Sequence, residues 1–180
     1  QLLENATQNA PVALRVNLLK NPEPQKSLSN WQGAYGWKTT PVPFWHSACQ
    51  ILEAATSPSQ TIEHQFDYYY IQDAASMLPV SLFSTIEKNH LILDMAASPG
   101  GKTTQIIDRS QDKAFIIAND SSASRLSALR VVIQGWGMAN GMISNYAGEK
   151  LGDWFPNTFD RILLDAPCSM ESLRVSENHP

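Results

Sequence analysis

The stretch Leu91–Lys102, LILDMAASPGGK, decides the fold. An apolar run ends in Asp94, and the chain then opens into a turn of small residues, Ala96, Ala97, Ser98, Pro99, Gly100 and Gly101, before Lys102. A strand feeding a Gly-rich turn and a helix is how α/β proteins seat a nucleotide-like cofactor, because helix N-terminal amides converge at that edge. A second apolar run, Ile162–Ser169 (ILLDAPCS), puts Asp165 and Cys168 at a strand end of its own.

Working outward, strands are predicted at 91–95, 114–120, 141–146 and 159–166. Helices are predicted at about 102–109 and after Ser122 or Ser124, where Leu126, Leu129, Ile133 and Trp136 share one face. Gly135 and Gly137 are expected to end the second helix. Near-continuous apolar runs such as FII and ILL predict strands covered on both faces, hence a parallel α/β sheet, unfinished at four strands.

Upstream the character changes. ALRVNLLK (13–20) alternates like a strand, NPEPQ breaks it, and Trp31, Trp37, Phe44 and Trp45 follow among Gly and Pro. Strands are expected near 49–54 and at 66–72, which makes a small α+β unit over residues 1–72. DAASMLPVSLF (73–83) reads as a helix capped by Asp73 and kinked at Pro79, opening a second unit over 73–180.

The chain has 180 residues, 43% of them hydrophobic, and a net charge of −4. That composition supports a real core, and no run has the length of a membrane span. Residues 1–46 carry four basic residues against two acidic, net +2, which leaves −6 for the remainder. A weak nucleic-acid footprint on the first unit and ordinary surface variation both fit that asymmetry. The two cysteines, Cys49 and Cys168, support neither a disulfide framework nor a zinc site, so no metal is expected. A reducing, cytoplasmic setting fits. Gln1 at the start and SENHP at the end give the expectation of a piece of a longer chain, with sheet edges exposed to self-association.

Asp94, Asp120 and Asp165 all fall at predicted strand ends. Acids end strands as turn formers or caps, but three in succession point to a site. Asp120, after the second strand, stands where such folds place the acceptor for a ribose diol. AASPGGKT (96–103) also differs from the phosphate-binding G-x-x-x-x-G-K-[ST] loop only by Ala96 in place of its first Gly, so a nucleotidase is a rival reading.

LDMAASPGGKTTQ, ANDSSASR and LLDAPCS, in this order and after RVNLLK and YYIQDAASMLPV, resemble the S-adenosylmethionine-dependent RNA cytosine-5 methyltransferases, the bacterial ribosomal RNA F type most closely. The resemblance covers about residues 10–172 and implies a Rossmann-like methyltransferase sheet preceded by an RNA-binding unit. It implies that Ala96–Lys102 wrap the methionine part of S-adenosylmethionine, that Asp120 holds its ribose, and that Asp165 lies beside the sulfonium and the target base. Cys168 would assist release of the RNA, 16S rRNA in the family's F type. The attacking cysteine of the family belongs to a later Thr-Cys motif that these 180 residues do not contain, so the chain by itself is expected to be inactive.

Two departures weaken the match. Ala147 stands where the family has an Asp for the adenine amine, and Met170 and Ser172 stand where it prefers Gly. A non-catalytic RNA- or partner-binding module of the same lineage is therefore the alternative. Arg15, Asn17 and Lys20 are the expected RNA contacts. Trp31, Trp37, Trp45 and Tyr68–Tyr70 could stack bases but are better read as core, as is Cys49.

Overall fold

The computed structural model describes residues 11–166. Two four-stranded sheets are formed. The first contains β1 (Ala13–Val16), β2 (Trp37–Pro41), β3 (Ala48–Ala54) and β4 (Tyr69–Gln72), in the order β2-β3-β1-β4, all antiparallel. Alternation along β1 splits its contacts between two faces. Leu14 and Val16 pack with Leu28, Trp31, Trp37, Cys49 and Tyr69, while Ala13 joins Val42, Trp45, Ala48 and Met77 on the other face.

NPEPQ lies beyond the end of the strand, as expected, and its Pro24 also starts α1 (Pro24–Tyr35). Pro24 lies in its first turn, where a missing N–H costs nothing, and Gly36 at φ 63° ends it. The strand predicted over 13–20 stops at Val16, because Asn17 folds its own side chain back: its Oδ1 accepts from the amides of Leu19 and Lys20. Segment 73–83 is also broken. A short 3-10 turn, Ala75–Met77, leads into α3 (Leu78–Ser81), with Pro79 in the first turn of a new helix and not kinking an old one. The short α2 (Ile62–Gln65) precedes β4 and is capped by the Thr61 hydroxyl.

The second sheet contains β5 (Leu91–Asp94), β6 (Phe115–Asn119), β7 (Gly141–Ser144) and β8 (Arg161–Leu163), all parallel, in the order β7-β6-β5-β8. The crossovers are α4 (Gly101–Ser110), α5 (Leu126–Trp136) and α6 (Gly148–Trp154). Ile92, Ile106, Ile107, Ile116, Trp136 and Leu163 make the core between sheet and helices. Gly137 ends α5 at φ 100°, but Gly135 lies inside the helix, where a Cβ would strike the Asp67 carboxylate. Its small size admits the loop before β4 and does not end the helix.

The chain runs β5, β6, β7 in one direction and then returns to place β8 on the other side of β5. Ligands in such sheets bind where the order reverses, over the carboxyl ends of the strands. That point lies between Asp94 and Asp165.

Candidate cofactor and base cleft

Residues 96–102 are pinned on both sides as they leave β5. The Met95 amide donates to the Leu163 carbonyl at 2.9 Å, and the Ala97 amide to the Asn119 carbonyl at 2.8 Å. The Ser98–Pro99 peptide is cis, and Gly100 takes φ 119°. A side chain at Gly100 would be strained in that conformation and would meet Val132 at 2.8 Å. Gly101 starts α4 without a positive φ. It is small for a different reason: a Cβ there would meet Tyr70 Cε1 at 2.9 Å and Gln72 Oε1 at 3.1 Å.

The loop opens on a cleft of about 220 Å³. One wall is the loop with Lys102 and Asp165; the other is β4 of the first sheet, through Tyr70, Ile71 and Gln72, with Ser76 beyond it. Lys102 Nζ donates to Asp165 Oδ2 at 2.6 Å, and the Asp165 side chain keeps 52% of its surface exposed. An ammonium and an accessible carboxylate thus share the mouth of the cleft.

Beneath them Asp94 is 1% exposed. Burial pushes its carboxyl up to about 6, opposed by the Thr103 hydroxyl and by Lys102 and reinforced by the charge of Asp165. The Thr103 hydroxyl donates to Asp94 Oδ2 at 2.6 Å, and Oδ1 has no hydrogen-bond partner among the described residues.

Asp120 is 2% exposed. Its two oxygens accept the amides of Ser98 at 3.1 Å and Ser122 at 3.0 Å, with Arg125 Nη1 at 3.8 Å. Arg125 also donates to the Ser98 carbonyl, and the Ser98 hydroxyl donates to the Arg125 carbonyl at 2.9 Å. Asp120 therefore ties the 96–102 loop to the end of β6.

The model of the family 16S rRNA methyltransferase RsmB/F matches residues 82–179, more than half of the chain. The chain belongs to that family. It is 41% identical over 162 residues to a ribosomal RNA small subunit methyltransferase F of Vibrio campbellii, and 43% identical over 165 residues to the protein of that name from Pectobacterium carotovorum. These matches cover 88% and 89% of this chain but 34% of each relative, so the chain spans about a third of their length. Among solved structures, a methyltransferase homolog protein from Pyrococcus horikoshii is 29% identical and superimposes with a TM-score of 0.83, over 92% of this chain and 53% of that one. The parallel sheet and its crossovers are thus a Rossmann-like methyltransferase fold.

Within this family member the structure brings Ala96, Ala97, Ser98, Pro99, Gly101, Lys102 and Asp165 to one cleft. Gly100 shapes the turn from below. Cys168 lies outside the described residues, as do Met170 and Ser172. Ala147 precedes α6 as its N-cap residue, with no side chain to offer a hydrogen bond.

The predicted RNA contacts need correction. Arg15 and Asn17 have no exposed surface. Arg15 is ion-paired with Asp108, and Asn17 donates to the carbonyls of Asp67 and Trp136 at 3.0 and 2.9 Å, so both join the two sheets. Lys20 is the exposed member; its ammonium bonds the Phe66 carbonyl at 2.6 Å and lies 5.7 Å from the centre of the Tyr68 ring. Trp31, Trp37, Trp45, Tyr69 and Cys49 are core, as expected. Sequence reading left Tyr70, Gln72 and Ser76 out of the site. A strand that pairs in one sheet while lining a cleft against another leaves no periodic signal of the second task.

Among the described residues no group of acidic, His or Cys side chains could hold a metal ion, and no helix is long and apolar enough to cross a membrane.

Proposed function

We propose that this chain carries the cofactor seat and the base-facing acid of an RNA cytosine-5 methyltransferase that acts on 16S rRNA with S-adenosylmethionine. The observation that carries the reading is the Lys102–Asp165 pair, 2.6 Å apart at the topological switch point, above a loop closed by small residues. The donor set suits the cofactor. Lys102 and Asp165 offer opposite charges to a zwitterionic methionine end, and the loop's small side chains let its backbone approach closely. S-adenosylmethionine, when bound, supplies the electrophilic methyl group.

Each residue has a task in this reading. Ala96–Lys102 hold the methionine part, and Asp120 keeps the loop in place beside the ribose. Asp165, oriented by Lys102, accepts a hydrogen bond from the exocyclic amine of an unstacked cytosine. Cys168, in the release role, follows Asp165 in the chain. Cys49 does not take part, since its thiol is buried in the first sheet and pushed up to about 11. The two units, 1–72 and 73–180, divide these tasks between an RNA-facing part and the cofactor fold, although β4 of the first lines the cleft of the second. Ile162 and Leu164, exposed beside the β8 edge, are where self-association is proposed.

The nucleotidase reading is disfavoured by Thr103. A phosphate-binding loop uses that hydroxyl on Mg²⁺, whereas here it is fully buried and donates to Asp94. Calorimetric titration decides between the two. Saturable binding of S-adenosylmethionine with none of Mg²⁺-ATP is expected, and the opposite pattern sinks the proposal.

A further inference from the structure

Among the polar cleft residues that the proposed tasks do not use, Tyr70, Gln72 and Ser76, only Gln72 has a buried polar atom without a partner among the described residues. Gln72, the last residue of β4, lines the cleft from the first sheet, and its Nε2 is the unpartnered atom. Its Oε1 stands over the start of α4, 3.1 Å from the position a Gly101 Cβ would take. An amide left without a partner is unfavourable in a folded chain, and because Gln72 lines the cleft, a turn of its side chain brings that amide to a ligand.

We propose that Gln72 is a nucleobase-binding residue, whose carboxamide holds the edge of the target pyrimidine opposite Asp165 and Lys102; this rests on the RNA methyltransferase reading. A carboxamide presents one acceptor and one donor side by side, the complement of the amine and ring nitrogen on the edge of cytosine. The methionine end of the cofactor carries full charges of both signs. Lys102 and Asp165 match those charges, whereas a neutral carboxamide matches a neutral base edge. Gln72 would thus give the first unit a direct part in holding the base, as a positioning residue and not a reacting one.

The test compares the wild-type chain with Gln72→Leu and Gln72→Glu in two titrations. Fluorescence anisotropy follows a labelled single-stranded cytidine oligoribonucleotide, and calorimetry follows S-adenosylmethionine. Gln72→Leu is expected to weaken the oligonucleotide about three- to tenfold, the effect of one neutral hydrogen bond, with cofactor affinity unchanged. Gln72→Glu keeps the size of the side chain and replaces the donor by an acceptor in a cleft that already holds the Asp165 carboxylate, so it should weaken RNA at least as much; it keeps the test readable if the leucine disturbs folding. A loss of cofactor affinity in either variant assigns Gln72 to the methionine end and overturns the proposal. Unchanged RNA affinity, or a wild-type chain that binds no cytidine RNA, overturns it as well. A wild-type chain that binds RNA but no S-adenosylmethionine instead overturns the functional reading.

Discussion

Arg15 and Asp108 form an ion pair with both side chains fully buried, joining β1 of the antiparallel sheet to α4 of the parallel one. Every other contact of the pair strengthens the joint. Arg15 also donates to Thr104 Oγ1 at 2.6 Å and to the Gly101 carbonyl at 3.1 Å, and its guanidinium lies 4.7 Å over the Trp136 ring. Asp108 Oδ1 accepts the Leu18 amide and the Trp136 indole N–H, each at 3.1 Å. Burial lowers the Arg15 pKa and raises that of Asp108 to about 6, and each charge opposes the shift of the other. Through the Gly101 carbonyl on one side and the pairing of β1 with β4 on the other, this joint links the two walls of the cleft.

Removing one partner should therefore be severe. Asp108→Ala leaves a buried guanidinium, an amide and an indole N–H unpaired, and is expected to cost about 3–5 kcal/mol in urea unfolding. The apolar double variant Arg15→Met/Asp108→Leu should not recover the loss, since Leu18 and Trp136 still lack their acceptor. Recovery to wild-type stability would show that the pair is dispensable.

Asp94 makes stability depend on pH. Its carboxyl is raised from 3.8 to about 6, so the folded chain binds more protons than the unfolded chain between those values. The neutral form is the favoured one when buried. This contribution is fully present below about 3.8 and is lost as pH rises through about 6. The wild-type melting temperature should therefore gain on going from pH 7 to pH 5 relative to Asp94→Asn, which keeps an acceptor for Thr103 but cannot titrate. Parallel melting curves at the two pH values would refute the shift.

The local signals carried the cleft loop and missed the joint. A turn of small residues after an apolar run is decided by neighbours in sequence, so Ala96–Lys102 and Asp165 were legible. Arg15 and Asn17 are expected as RNA contacts because the family that the chain resembles uses the RVNLLK segment near its substrate, and a short strand does not say which of its residues face inward. Their partners, Asp108 and the Trp136 carbonyl, lie 93 and 119 positions away. The helix that Pro24 opens carries no sequence expectation, because a proline that ends a strand also suits a first helical turn, and only the packing of Leu28 and Trp31 against β1 selects that use. Asp120 stood at the expected strand end, yet its oxygens hold the Ser98 and Ser122 amides, contacts that depend on where the loop folds.

Gly101→Ala tests the closeness of the two walls. The added methyl would meet Tyr70 and Gln72 at about 3 Å, tighter than ordinary packing, so β4 must move away from α4. A loss of about 1–3 kcal/mol is expected, with weaker S-adenosylmethionine binding. Gly33→Ala, where nothing lies within 4 Å, serves as the control and should be neutral or slightly stabilising in its helix. Equal effects at the two positions would mean that the walls are not in contact.

Cys49 provides a probe of the first sheet alone. It is 3% exposed on β3, opposite Leu14 of β1, and burial pushes its thiol up to about 11 although a hydrogen bond with Thr39 pulls the other way. The thiolate is the reactive species, so at pH 8 both its scarcity and its inaccessibility suppress alkylation. Iodoacetamide should leave Cys49 unmodified in the folded chain and label it at the rate of the unfolded chain in urea, read peptide by peptide with mass spectrometry. The urea dependence of that labelling, compared with tryptophan fluorescence, to which Trp31, Trp37 and Trp45 of the first unit and Trp136 of the second all contribute, reports whether the strand around Cys49 opens ahead of global unfolding. Coincident transitions are expected, because Arg15 and Asn17 tie the sheets together through polar groups that neither unit satisfies alone. Labelling of Cys49 well before the fluorescence change would show that the joint yields first.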